Sequence, residues 1–450
     1  MAKITYENLK ISTIPYLHIL ELRIEQKINE HGKAKIICEV EPDIAQECIE
    51  KITEEDTCNI IGNNKVLFCG LFAKLEIQHQ ADATWLEIGL ESTSKILDYG
   101  CEKHSYQHTS ATYGQIMKEA VARQKGQLIM QVEDRTVPGL VVQYRETIWE
   151  FVKRMAAECG TCVITDNRNV KPMIYVGIPD YEEVYITPQN KGNFGSSGFT
   201  EEFLYVGAMN SGECITKTES VMEGGVLRTY YETAKLSRLP KAVSSDRHTQ
   251  KYSLAGKVFG GIVQKVEADK VQVHITDIDE QYDAAGDWYF PYSTIYSSAN
   301  NEAGYYCMPQ KDDSVRIFFP TDRAEDAFAA SSVNMRGARD NMLEKCFQSP
   351  AGMEVLFTEK GLYITCKGKN VCINMEQDSG ITIEADTSIT MFASKDVKLH
   401  AYENIKVTSE NEIYLGTDTS FIHLGKSQSV EDANSMVDGI DVYAPKIFVK

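Results

Sequence analysis

The sequence predicts a mainly β protein with an α+β first zone, and three observations predict it. Long alternating strands, broken by two short amphipathic helices, run to about residue 245. Shorter strands crowd the stretch from 252 to 335. A strict eight-residue hydrophobic step then governs much of 351–450. At roughly 150 residues per domain, 450 residues accommodate three such zones, each able to bury a core.

In the first zone, Tyr16 to Ile28, Lys65 to His79 and Thr84 to Leu90 alternate as half-buried strands do, with Leu20, Leu22 and Ile24 on one face. Strands of this length suit a barrel or a large sheet. The segment from Thr112 to Arg123 places Tyr113, Ile116, Met117, Ala120 and Val121 on one helical face, and Thr112 with Gln115 reads as a capping box. A second helix, Thr147 to Glu158, repeats the pattern with Ile148, Phe151, Val152, Met155 and Ala156, capped by Thr147 and Glu150. Asn190 to Gly198 reads as a flexible loop by composition.

The second zone holds strands at Gly256 to Val266, Lys270 to Thr276, Asp287 to Pro291 and Ser314 to Phe319. About five strands in this span is the size of an OB-like barrel. Such barrels often bind oligonucleotides, but this one lacks interleaved basic and aromatic residues, and its turn Asp277-Ile-Asp-Glu280 repels phosphate. The whole chain carries 46 basic against 65 acidic side chains, a net charge of −19, which also excludes nucleic acid as a partner.

In the third zone, Ile381, Ile389, Val397, Ile405 and Ile413 recur every eight residues, and Ile383, Met391, Leu399, Val407 and Leu415 recur two positions after each. The first five residues of each octad alternate as a strand, and the last three, such as Asp386-Thr-Ser388, are turn-like. Eight residues make one strand and one corner, too little to coil around a core. Three chains supply three sides per layer, so the period predicts a homotrimeric β-helix with those ten side chains packed along its axis. The polar Thr382, Glu384, Thr390, Lys398, Lys406 and Thr408 would face outward.

One octad beyond Leu415 stands His423. If the step holds, three His423 imidazoles meet on the threefold axis and could hold a metal; a one-residue offset instead places Ile422 and Leu424 inside and His423 in solvent. No other cofactor is expected. The twelve cysteines are too few for a disulfide scaffold, and most, such as Cys38 and Cys69 in apolar strand-like contexts, read as buried reduced thiols. The C-x-x-C pair Cys159 and Cys162 follows a helix instead of opening one, so the helix dipole disfavours a thiolate there and the pair reads as structural. No second C-x-x-C or paired histidines complete a zinc site. The N-terminal stretch lacks a signal-peptide pattern and no apolar run reaches the ~18 residues of a membrane span, so the primary expectation is a soluble, cytoplasmic product.

The order of a β-rich hub, a small barrel and an octad stack resembles the VgrG-type spike of contractile injection systems and the hub-and-spike of phage tails. Local residues carry the likeness. Val142-Gln-Tyr-Arg-Glu146 running into Thr147 to Met155, then Glu158-Cys-Gly160, is similar to a segment of that family. So are Gly256-Lys-Val258, Val271-Gln-Val273, Trp288, Met308 to Phe319, and Ala329 to Asn334 at the barrel exit. The resemblance implies a trimeric hub that caps the ring of the inner tube through two barrel-like subdomains per chain within residues 1–245. It also implies contacts with baseplate proteins, a tip-capping protein or cargo at the C-terminal end, and a needle that meets the target membrane only transiently. Assembly would occur in the cytoplasm, as part of a particle delivered to the target cell envelope. Only Arg336 to Pro350 separates barrel from octads, which leaves no room for an inserted lysozyme-like domain, so no enzyme activity is expected. Competing readings are a trimeric receptor-binding tail fibre and a β-helical polysaccharide-processing enzyme working through paired carboxylates.

Overall fold

A computed structural model describes residues 3–80, 83–242, 253–279, 286–298, 303–332, 341–366, 371–428 and 436–444. Glu280 of the acidic turn, residues 333–334 of the barrel exit and residues 336–340 of the spacer lie outside the described residues. The fold is mainly β, with barrel-like sheets. It divides into two compact units, Met1–Arg336 and Gly337–Lys450.

The first unit is built on an 11-stranded sheet. The long strands His18–Lys27, Lys65–Gln80 and Ala83–Ser92 form near where the alternation places them, joined by Lys33–Glu39 and Thr57–Gly62, but a register shift between Ile19 and Glu21 puts Ile19 in the core with Leu22 and Ile24 and leaves Leu20 exposed. Two later strands extend the sheet: Glu213–Glu223 pairs with His18–Lys27, and Val226–Lys235 pairs with Glu213–Glu223. The sheet then curls back on its own start: Thr5 bridges Val226, and the Leu227 amide donates to the Ile4 carbonyl at 2.8 Å. Leu22, Ile36, Ile60, Phe68, Leu86 and Ile88 fill the interior, essentially without solvent exposure. Helix α1, Pro42–Lys51, packs Ala45 and Cys48 onto this core.

Asn190 to Gly198, expected as a flexible loop, is largely an edge hairpin: Asn190–Lys191 pairs with Ser196–Thr200, and the latter pairs with Val226–Lys235. Its glycines mark close backbone approach, not mobility. A Cβ on Gly195 would lie 1.9 Å from the Thr233 carbonyl oxygen. The exposed edge is blunted by Gln189, whose side-chain amide accepts from the Phe199 N–H and donates to the Phe199 carbonyl, as a paired strand would.

Helices α2, Tyr113–Arg123, and α3, Ile148–Glu158, begin where the capping boxes place them, with Thr112 and Thr147 each accepting from the N3 amide. Their apolar faces bury Met117, Val121, Phe151 and Val152 in a second core, shared with a three-stranded sheet of Gln127–Met130, Val163–Thr165 and Met173–Val176.

Residues from 257 onward form a five-stranded ring. Lys257–Glu267 pairs with Lys270–His274 and with Ser314–Phe319; Lys270–His274 pairs with Phe290–Pro291, and Ser314–Phe319 with Phe328–Ala330. The bridge between Tyr292 and Ala329, with the Ser293 amide on the Ala329 carbonyl at 2.7 Å, closes the ring in the strand order 1-2-3-5-4. Phe290, Val315, Ile317 and Phe319 fill it.

The strand Val141–Glu146 ties this ring to the α2–α3 core. Val141 points into the helical core, while Val142 and Tyr144 complete the core of the ring. Gln143 is fully buried and accepts from Arg123 at 2.9 Å. Glu146 is clamped by both ends of the Arg154 guanidinium at 2.7 Å, and Arg154 also donates to the Val142 carbonyl. A buried carboxylate needs such a bidentate partner. The Val142 to Arg154 motif thus encodes a junction between two cores.

Candidate assembly interface

The second unit begins with an antiparallel meander of Lys345–Gln348, Glu354–Phe357, Gly361–Thr365, Val371–Glu376 and Gly380–Ala385. Directly paired residues share a face. One row across the sheet therefore reads Phe347, Val355, Ile364, Ile373, Ile383, and a second reads Phe357, Leu362, Met375, Ile381. Both rows are apolar and lie on the same face. The opposite face carries polar groups such as Asn374, Thr382 and Glu384.

This apolar face is not covered within the unit. Ile381 retains 68% of its exposure and Ile383 55%. The octads then continue as a chain without a ladder: no residue from 386 to 412 is in a strand. Ile389, Met391, Val397, Leu399, Ile405 and Val407 are all exposed along it. Backbone amides and carbonyls of alternating sequence normally pair, and large apolar side chains in a row normally find cover. Within a single chain the octads do neither.

At the far end the ladder resumes. Ile413–Thr417 pairs with Ser420–Gln428, which pairs with Met436–Tyr443. The rows Ile413, Leu424, Ile440 and Leu415, Ile422, Val442 make a second apolar face, again largely exposed.

The structure thus places Ile413 and Leu415 with Ile422 and Leu424, and it sets His423 on the other face. Its ring stacks on Tyr414 with centroids 4.3 Å apart, Nδ1 lies 3.3 Å from Asp441, and Nε2 lies 4.0 Å from Glu412. The offset of one residue therefore describes the strand better than the continued octad. Contrary to the solvent position that offset suggested, His423 is buried beneath Tyr414, with its Nε2 lacking a hydrogen bond among the described residues. Among the described residues no group of three His, Cys, Asp or Glu side chains gathers to hold a metal.

The eight-residue step does not reach Phe347, Val355, Phe357, Leu362, Ile440 and Val442, which share these faces. Their signal was two-residue alternation interrupted by turns, which is weak in strands of four or five residues. Cys159 caps the C-terminal end of α3 and Cys162 is buried beside Val163; burial pushes both thiols up. No helix among the described residues is long and apolar enough to cross a membrane.

No family model matches the chain, and no curated protein matches its sequence. Solved structures do. The chain is similar to the c3393 protein of Escherichia coli, a component of the type VI secretion system with structural similarity to T4 bacteriophage tail proteins gp27 and gp5. The match has 12% identity and a TM-score of 0.48, and covers 72% of this chain and 99% of that one. It is also similar to the 43 kDa tail protein of prophage MuSo2 from Shewanella oneidensis, at 8% identity and a TM-score of 0.41, over 53% of this chain and all of that one. The tail protein from Neisseria meningitidis MC58 matches at 7% identity and a TM-score of 0.37, over 52% of this chain and 98% of that one. These are partial likenesses of shape.

Proposed function

We propose that this chain is the hub and spike of a contractile injection machine and acts as a homotrimer without enzymatic activity. The observation that carries the reading is the continuous run of exposed apolar positions, from Ile381 through the unladdered octads to Leu415, in a chain whose other strands are paired. Two further copies supply what the segment lacks: neighbouring strands for its backbone and cover for its side chains. Ile381, Ile383, Ile389, Met391, Val397, Leu399, Ile405, Val407, Ile413 and Leu415 then line a dry axis. Three entwined chains cannot unfold singly, so resistance to force becomes a kinetic property of the trimer, as a puncturing needle requires.

The curled sheet of the first unit and the five-stranded, OB-like ring support the same reading, as does the Val142 to Arg154 junction. In this reading the hub caps the inner-tube ring and sits among baseplate proteins, and the spike's C-terminal end presents a tip protein or cargo. The machine is assembled in the cytoplasm, and the spike crosses the target membrane on sheath contraction. The test is the mass of the purified chain by light scattering, with its resistance to SDS before and after heating. A trimer that dissociates only on heating is expected. A monomer at micromolar concentration would overturn the proposal.

A further inference from the structure

The first unit carries a cleft of about 740 Å³. Leu67, Phe203 and Leu204 line it together with Tyr181 and Tyr205. The Arg168 guanidinium lies 4.7 Å from the Tyr205 ring and 5.2 Å from that of Tyr181, and donates to both oxygens of Asp166 at 2.7 and 2.6 Å. Its charge is therefore already matched. The lining is acidic: Asp180, Glu182 and Glu183 follow one another along the chain and Glu202 joins them, against the single further cation Lys65. Asp180 and Glu182 form no ion pair among the described residues.

The segment that carries these acids is anchored at its C-terminal end. Val184 donates to the Met209 carbonyl at 2.8 Å, and the Asn210 side chain accepts from the Ile186 amide and donates to its carbonyl, at 3.2 and 3.1 Å. An anchored segment loses less entropy than a free one when a ligand docks. An apolar lining selects an aliphatic or aromatic anchor, and the carboxylates of Asp180 and Glu182, with Glu183 accepting from the Tyr185 hydroxyl at 3.0 Å beside them, select cations.

We infer that this cleft docks a short basic segment of a partner protein, in which lysine or arginine residues flank an apolar anchor. The anchor would rest on Phe203 and Leu204, and the cations would meet Asp180, Glu182 and Glu183. Acidic segments and nucleic acid are repelled by the same carboxylates. This goes beyond the assembly reading, since it rests on the lining of the cleft and not on the octads.

The test uses the full chain and three fluorescein-labelled six-residue peptides, alternating lysine with leucine, glutamate with leucine, and lysine with serine. Fluorescence anisotropy should show the lysine–leucine peptide binding best, with affinity falling as salt rises. The triple variant Asp180→Asn, Glu182→Gln, Glu183→Gln should weaken it about tenfold, and Lys65→Glu should tighten it. These side chains are on the surface, and an unchanged melting temperature checks that the variants fold. Hydrogen exchange should report protection at residues 180–186 and 203–205. Equal binding of the glutamate–leucine peptide, an unaltered affinity in the triple variant, or protection spread over the acidic surface would each overturn the inference.

Discussion

Leu415 and Ile422 face each other across the two-residue turn Asp418–Thr419. That pairing decides how the hydrophobic column ends. In a hairpin, partners share a face, so the column that descends through Leu399, Val407 and Leu415 turns back through Ile422 and leaves His423 on the other side. An eight-residue step carried past a reversal of chain direction must lose its register, because the turn consumes two residues and inverts the order of those that follow.

Val397→Asp separates assembly from folding. Val397 is exposed in the single chain, so the variant should leave the paired strands and the first unit intact. Around a threefold axis it would bring together three carboxylates without counter-ions, at a cost on the order of several kcal/mol per trimer. Light scattering should report loss of the trimer with an unchanged circular dichroism spectrum. A trimer of normal heat resistance would mean the axis runs elsewhere.

The turn-back of the column makes a paired prediction for the tip. Ile422→Asp should impair assembly as Val397→Asp does, since Ile422 shares the face of Leu415. His423→Gln should leave assembly intact and cost only local packing against Tyr414, about 1 kcal/mol. If His423→Gln disrupts the trimer while Ile422→Asp does not, the register at the tip is the opposite one. Elemental analysis of trimer prepared with added zinc or iron should find no metal retained by His423.

The elements most legible in the sequence were those whose signal is local and repeated. The capping boxes at Thr112 and Thr147 fix helix starts because the bonds that make a cap lie within four residues. Lys65–Gln80 was legible because Val66, Phe68, Gly70 and Phe72 alternate in its first half. Asn190 to Gly198 was not, because its glycines answer to Thr233, a residue distant in sequence, and composition alone cannot tell close approach from freedom. Ring closure by Ile4 with Leu227 was also hidden, since it depends on two segments meeting after the whole sheet has curled.

The cysteines should sort by burial, not by motif. Burial pushes Cys38, Cys58 and Cys214 up to about 12 and Cys69 to about 11, while Cys101, Cys307, Cys346 and Cys366 are exposed. A disulfide-exchange reagent at neutral pH should therefore label the exposed four quickly and the buried thiols only on denaturation. Cys159→Ser with Cys162→Ser should leave assembly and its redox insensitivity unchanged. Rapid oxidation of that pair to a disulfide, with a change in assembly, would restore a redox role.

The junction between the helical core and the five-stranded ring should weaken as pH rises. Asp279, almost wholly buried, accepts from the Ser105 amide at 2.7 Å and from the Ser105 hydroxyl, and it lies 3.2 Å from His104 Nδ1; His104 Nε2 lies 3.4 Å from Glu119. Burial alone would lower the imidazole's pKa, and nearby Arg123 acts the same way, but the Asp279 and Glu119 carboxylates outweigh both and hold it up at about 9. A folded value above the unfolded 6.5 means that the protonated ring binds the folded state better. The stabilisation is therefore complete below pH 6.5 and disappears as pH climbs through 9. The melting temperature of the wild-type chain should fall across that window, and exchange of the Ser105 amide should quicken. His104→Gln keeps a hydrogen-bond donor but cannot titrate, so its profile should be flatter. Asp279→Asn, which leaves His104 and Ser105 without their carboxylate, should cost about 1–3 kcal/mol at pH 6.5 and less at pH 9.5. If His104→Gln falls as steeply as wild type between pH 6.5 and 9, another group governs the junction.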